Sequence, residues 1–203
     1  MKRDKFHHGD LRAALLQLAT RKLAGGPYED LSLRDLANEL SVSQTAPFRH
    51  FPNKDALLQT LAIGGVGQLS DAFREAGQSQ GAPAQRLRRA CCAYLDFAVA
   101  SPQLFRLIFV SDTYWRATIP ATPADVPNTA YGEFEQLVAG ALVGGVDPSL
   151  AALTCWSTVH GFAMLRLTGR IEMIADLQAA TEVVLTSACT GPHMRIGAVP
   201  SFA

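Results

Sequence analysis

The chain has 203 residues, of which 48% are hydrophobic and 18% charged. That length can bury a core in one large domain or two small ones, and that composition excludes a disordered chain. The formal net charge is zero, so bulk charge does not point to nucleic acid.

The charge distribution says more. Residues 1–60 hold nine Lys/Arg against seven Asp/Glu, with all four lysines (Lys2, Lys5, Lys22, Lys54) and three of the five histidines. Residues 61–203 hold nine basic against eleven acidic residues. A mildly basic head on a mildly acidic body fits a nucleic-acid-binding head. Cys91, Cys92, Cys155 and Cys189 show no CxxC spacing, so buried thiols in a reducing cytosol are expected, with no metal and no cofactor. The opening MKRDKFHHGDLR is basic but lacks the apolar stretch of a signal peptide. Pro148–Leu165 is the best membrane candidate, but it contains Thr154, Ser157, Thr158 and His160 and ends at Arg166. A buried helix explains it better, and a cytoplasmic protein is expected.

Nearly all periodicity is helical, so the predicted class is all-α. A first helix runs from about Asp10 to Leu23, with Leu11, Leu15, Leu18, Ala19 and Leu23 at helical spacing, and Gly25-Gly26-Pro27 stops it. After a linker at Tyr28–Leu31, Ser32 is an N-cap candidate, with Asp35 in the place of a capping-box acid, and a second helix follows through Leu40. Ser43 opens a short helix through about His50. Asn53 opens another towards Phe73, with Asp55 in its first turn. Gly77–Ala82 reads as a joint, followed by helices Pro83–Ala100 and Pro102–Phe109. Thr118–Asn128 carries three prolines and reads as a loop. Helices then follow at about Thr129–Val143, from an Asp147-Pro148 cap to Leu167, and, beyond a break at Gly169, at about Glu172–Ala188. The tail to Ala203 reads as loose. No repeat or low-complexity segment is present.

The informative stretch is Leu31–Leu58, LSLRDLANELSVSQTAPFRHFPNKDALL. Leu33, Leu36, Ala37 and Leu40 give one short helix an apolar stripe. Val42 sits under a tight turn, Ala37 is small where helices cross, and a second short helix follows. This is the arithmetic of a helix-turn-helix, whose second helix enters the DNA major groove. The residues also resemble the signature of the TetR family of transcriptional regulators. Val42-Ser43, Phe48-Arg49-His50-Phe51 and Asn53-Lys54-Asp55 agree with it in type and spacing across about 28 positions. HHGDLR near the start and Trp156…His160-Gly161 resemble the branch named for a Trp-His-Gly C-terminal domain.

By position, Gln44 and Thr45 begin the recognition helix. Gln can pair with adenine in bidentate fashion, and Thr can donate a hydrogen bond or touch a thymine methyl. Arg49, His50 and Lys54 are phosphate candidates, with the helix N-termini near Ser32, Ser43 and Asn53. Solvated surface is the plain alternative for Arg49 and Lys54, and a structural cap for His50. Phe51 reads as a core plug. The resemblance has two departures: the family usually has Gly at Ser41 and Tyr at Phe48. Ser41 must then tolerate a turn that suits Gly. Phe48, without a hydroxyl, is assigned stacking or packing only. Pro47 makes the reading helix short and stiff, places its missing N–H in the first turn, and disfavours helical geometry at Ala46.

The resemblance implies residues 1–54 as a three-helix DNA-binding domain and 55–203 as an effector-binding and dimerisation domain. It also implies a repressor that binds palindromic double-stranded operator DNA as a homodimer under control of a small-molecule effector. A twofold dimer would set two recognition helices about 34–36 Å apart. Pocket candidates are Tyr94, Phe97, Phe105, Phe109, Trp115, Trp156, His160 and Met164; ordinary core is the alternative for each. Trp156 and His160, four apart, share a helix face. Small residues on the last two long helices (Ala151, Ala152, Ser157, Gly161, Ala179, Ala180, Ser187) suit a four-helix interface. Gly64, Gly65 and Gly67 suggest that the helix linking the domains bends when an effector binds.

Two rivals stand beside this reading. An enzyme would need a catalytic pair. Cys155 and His160, five apart on a helix, point roughly 140° apart, and no G-x-S-x-G, phosphate loop or H-E-x-x-H is present. The other rival is a helical ligand-binding protein with weak or lost DNA binding, suggested by Phe48 and the neutral net charge.

Overall fold

The computed structural model describes residues 11–111 and 129–194. Trp115, the loop expected at 118–128 and the tail beyond 194 lie outside the described residues. Those residues form eight α-helices and no strand. The helices are α1 (Leu11–Gly25), α2 (Leu33–Glu39), α3 (Lys54–Gln78), α4 (Pro83–Ala100), α5 (Pro102–Phe109), α6 (Ala130–Ala141), α7 (Pro148–Leu167) and α8 (Leu177–Thr190), with short 3₁₀ turns at Tyr28–Asp30, Pro47–Arg49 and Pro192–Met194. None of these helices is long and apolar enough to cross a membrane.

The helices fall into two compact units. The first lies within Met1–Gly65 and Ser101–Ile119, the second within Val66–Ala100 and Pro120–Ala203. The unit boundary thus falls inside α3, eleven residues beyond the division expected at 54, and α5 belongs with the first unit. In the first unit α1 packs on α2, on α5 and on the Pro47–Arg49 turn. Leu15, Ala19, Leu36, Ala37, Leu57 and Phe51 form its core, all at most 2% exposed. The Arg12 guanidinium lies 5.3 Å from the Phe51 ring centroid, so this ring plugs the core and carries a cation–π contact. In the second unit α4, α6, α7 and α8 pack around Leu87, Cys91, Tyr94, Phe134, Val138, Cys155 and Val159.

Side-chain caps set most helix starts. Ser32 accepts from Asp35 N (3.4 Å), Asn53 from Ala56 N (2.9 Å), Thr129 from Gly132 N (3.1 Å), and Asp147 from Ser149 N and Leu150 N. α8 begins five residues later than the apolar pattern predicts. The Asp176 carboxylate accepts from Ala179 N (2.8 Å) and fixes the start there, while residues 168–173 form turns.

α3 is helical through Gly64, Gly65 and Gly67. Gly65 sits at a close approach. A Cβ there would lie 2.8 Å from Ile108 Cδ1 and 3.0 Å from Leu104 Cδ2, so glycine is what lets α5 approach α3. Gly64 and Gly67 have nothing within 4 Å of such a Cβ.

Candidate nucleic-acid interface

α2 ends on a Schellman motif. Ser41 N donates to Asn38 O and Val42 N to Ala37 O, both at 3.0 Å, and Ser41 takes the left-handed conformation at φ 55°. Here the sequence has Ser where the backbone favours Gly, and the bond pattern holds it. The reversal brings Val42 half-buried under the turn and turns Ser43, Gln44 and Thr45 outward to solvent.

The element after the turn is not the α-helix expected from Ser43 to His50. It is a turn at Gln44–Thr45 followed by the 3₁₀ turn Pro47–Arg49. The reason is Pro47. With Ser43 as cap, the N–H of residue 47 would be the first to make an i→i−4 bond, and proline has none. The backbone closes more tightly, with Ala46 N donating to Ser43 O (2.9 Å), Arg49 N to Ala46 O (3.2 Å) and His50 N to Pro47 O (2.9 Å). Ala46 itself keeps helical angles (φ −61°, ψ −43°), against the bias of a residue before proline. The Ser43 hydroxyl does not act as the expected cap here; it lies 3.3 Å from the Thr45 hydroxyl.

The two ends of the turn are tied by side chains. Gln44 Nε2 donates to Asn38 Oδ1 (3.3 Å), which fixes the Gln44 amide on the outer face. Nothing in the sequence pattern singles out Asn38 for this, since the two residues meet only once the turn has closed. Phe48 is 42% exposed although aromatic, and Arg49 is exposed beside it, while Pro47 and Phe51 face the core. His50 is half-buried, and Ser32 is occupied as a cap. Lys54 Nζ donates to the backbone carbonyl of Glu29, so this ammonium also closes α3 against the Tyr28–Asp30 turn. Lys22 and Glu39 pair at 2.6 Å and tie α1 to α2. The outer surface therefore presents an amide, two hydroxyls, an aromatic ring and a guanidinium on a rigidly braced turn.

The pocket candidates divide between the units. Phe105 and Phe109 lie in the first, with ring centroids 4.7 Å apart. Tyr94, Trp156 and His160 meet in the second. Tyr94 Oη lies 2.7 Å from His160 Nδ1, and the Tyr94 and Trp156 rings stand edge to face at 4.7 Å. Burial pushes the Tyr94 phenol far up and the His160 imidazole down, so both are neutral near pH 7. With the imidazole as its Nε2–H tautomer, the Tyr94 hydroxyl donates to Nδ1. Phe73, Tyr131 and Phe134, not singled out by the sequence, complete the aromatic cluster around Trp156. Phe97 and Met164 are half-buried on α4 and α7. A groove of about 310 Å³ opens beside the cluster, lined by Phe73, Arg74, Gly77, Gln78, Glu133, Gln136 and Leu137. Arg74 Nη2 donates to Glu133 Oε1 (2.6 Å) at its wall.

The described residues are helical throughout their regular elements, and α2 is followed by a braced, outward-facing turn and the Pro47–Arg49 3₁₀ turn, the arrangement of a helix-turn-helix head with a shortened second element. The profile of bacterial regulatory proteins of the tetR family matches residues 15–61, and that of the tetracyclin repressor-like C-terminal domain matches residues 87–188. A solved protein of unknown function from Rhodococcus sp. RHA1 is 30% identical, with 93% of this chain and 97% of that one covered at a TM-score of 0.73. The fold is also shared with the TetR family regulator PfmR from Thermus thermophilus (18% identity, 88% and 98% covered, TM-score 0.59). BioQ, solved with its double-stranded DNA operator, shares it too (20% identity, 92% and 99% covered, TM-score 0.54). No functionally curated protein matches the chain. The chain belongs to the TetR family of transcriptional regulators and carries that family's DNA-binding domain.

Proposed function

We propose that this regulator is a cytoplasmic repressor that binds a palindromic operator as a homodimer and is controlled by a small-molecule effector. The first unit would supply the DNA grip, and the second the effector site and dimer surface. The observation that carries the reading is the outward presentation of Gln44, Thr45, Phe48 and Arg49 on a turn whose inner face is anchored by Pro47 and Phe51. Polar and cationic groups held in fixed positions suit base edges and phosphates, whereas a merely solvated loop needs no such bracing. BioQ, of similar fold, is solved on duplex operator DNA, which supports the same use here.

In this reading Gln44 and Thr45 read bases, Arg49 and His50 grip phosphate, and Phe48 packs on sugar or base. Lys54, Ser32 and Ser43 contribute from the helix and turn starts. The aromatic cluster at Tyr94, Trp156 and His160, with the groove beside it, suits a small, largely apolar effector.

The test is binding of the purified protein to its own upstream DNA across a salt series. The proposal expects preference for one palindrome at two chains per site, with affinity falling steeply as salt rises. Equal affinity for random duplex without effector would overturn it and favour a helical ligand-binding protein.

A further inference from the structure

Three of the four cysteines converge although the sequence scatters them. Cys91 on α4 lies 4.0 Å, sulfur to sulfur, from Cys155 on α7 and 3.9 Å from Cys189 on α8. All three are buried free thiols. Cys91 and Cys155 are fully enclosed, whereas Cys189, in the last turn of α8, keeps 5% exposure. Arg88 stands one turn before Cys91 and Cys92 on α4. Its Nη2 donates to Glu182 Oε2 (2.5 Å), while its Nη1 is buried with no hydrogen-bond partner among the described residues.

The three sulfurs are not equivalent. The Cys189 thiol is held below its ordinary value, first by the hydrogen bond with Cys91 and then, against burial, by the positive charge of Arg88. Cys91 is pushed well up by its hydrogen bonds to Cys155 and Cys189 and by burial. Of the pair, Cys189 is thus the better nucleophile, it is the one residue of the three that keeps any exposure, and Cys91 stays protonated within hydrogen-bonding reach of it. Among the described residues no group of three His, Cys, Asp or Glu is arranged to hold a metal ion, so redox chemistry fits better than metal capture.

We propose that Cys189 and Cys91 form a hydroperoxide-responsive dithiol, with Cys189 as the attacking sulfur, Cys91 as the resolving one and Arg88 as the positioning residue. The Cys189 thiolate attacks one oxygen of a hydroperoxide, the O–O bond breaks, and water or an alcohol leaves after taking up a proton. Cys189 is now a sulfenic acid. The Cys91 sulfur then attacks the Cys189 sulfur, the S–O bond breaks, and the hydroxide leaves as water with the proton from Cys91. Two thiols are oxidised to one disulfide and one hydroperoxide is reduced. Cys155 and Cys92 remain thiols.

The test is a hydrogen peroxide titration of the full chain, followed by thiol blocking and non-reducing peptide mass spectrometry. The expected result is loss of two of the four thiols within one chain and a Cys91–Cys189 linkage. Cys92→Ser should leave that linkage intact, which settles the ambiguity of adjacent cysteines. Cys91→Ser, which keeps a hydrogen-bonding group beside Cys189 but removes the resolving sulfur, should stop the reaction at a Cys189 sulfenic acid that dimedone traps. Arg88→Gln should slow thiol loss by about tenfold through a smaller thiolate fraction. Oxidation confined to Cys92, a linkage between chains, a Cys91–Cys155 linkage, or no thiol loss in the wild-type protein would each overturn the proposal.

Discussion

Two helices, one in each unit, end in the same bond pattern but on different residues. α2 closes with Val42 N on Ala37 O and Ser41 N on Asn38 O. α7 closes with Arg170 N on Leu165 O (3.0 Å) and Gly169 N on Arg166 O (3.2 Å). The left-handed position holds Ser41 at φ 55° in the first and Gly169 at φ 69° in the second. Glycine meets that backbone at no steric cost, whereas a residue with a Cβ meets it at about 1–2 kcal/mol. The strained end is the one that sets up the candidate DNA-reading turn, and the relaxed end leads only to a connecting segment. The wider contrast between the units has the same character. In the first unit the site is made by neighbours in sequence, through caps, a proline and a reversed turn. In the second it is made by long-range contacts, such as Tyr94 to His160 across 66 positions.

The largest effect sharpens the long-range side of that contrast. Tyr94→Phe removes a buried hydroxyl from His160 Nδ1 and should cost about 1–3 kcal/mol of stability by chemical denaturation. An unchanged midpoint would mean that this contact does not hold the second unit together. Gly65→Ala places a methyl against Ile108 and Leu104 in the first unit and should cost about 1–3 kcal/mol by overpacking. Gly64→Ala, one residue earlier with open space, should instead gain up to about 1 kcal/mol from helix propensity. Equal effects at the two positions would refute the close-approach role of Gly65. Ser41→Gly should likewise raise stability by up to about 1 kcal/mol, because the turn loses its Cβ strain, and a loss of stability would show that the serine side chain does more than tolerate the turn.

These contrasts explain what is legible in the sequence. Helix positions and their caps at Ser32, Asn53 and Asp147 follow from residues a few places apart, so the sequence displays them, whereas the demand on Ser41 is visible only through the family resemblance. The shape of the reading element does not follow as simply. Pro47 is visible, but one residue of register decides whether its missing N–H is harmless or removes the first i→i−4 bond, and it removes that bond. The start of α8 is obscured because apolar residues from Ile171 onward continue a helical pattern, while Asp176 sets the actual cap. The aromatic cluster and the thiol cluster require tertiary packing. Phe73, Tyr131 and Phe134 look like ordinary core positions, and Cys155 and Cys189 are separated from Cys91 by 64 and 98 positions.

The central claim is that the outward face of the Gln44–Arg49 turn reads DNA. Paired affinities of Gln44→Ala and Arg49→Ala for the preferred palindrome and for a scrambled duplex test it most directly. Gln44→Ala should weaken the palindrome by about 1–3 kcal/mol, roughly 5-fold to 150-fold, and leave scrambled DNA unaffected. Arg49→Ala should weaken both duplexes alike and reduce the salt slope by about one. Wild-type affinity and salt slope in both variants would contradict the account.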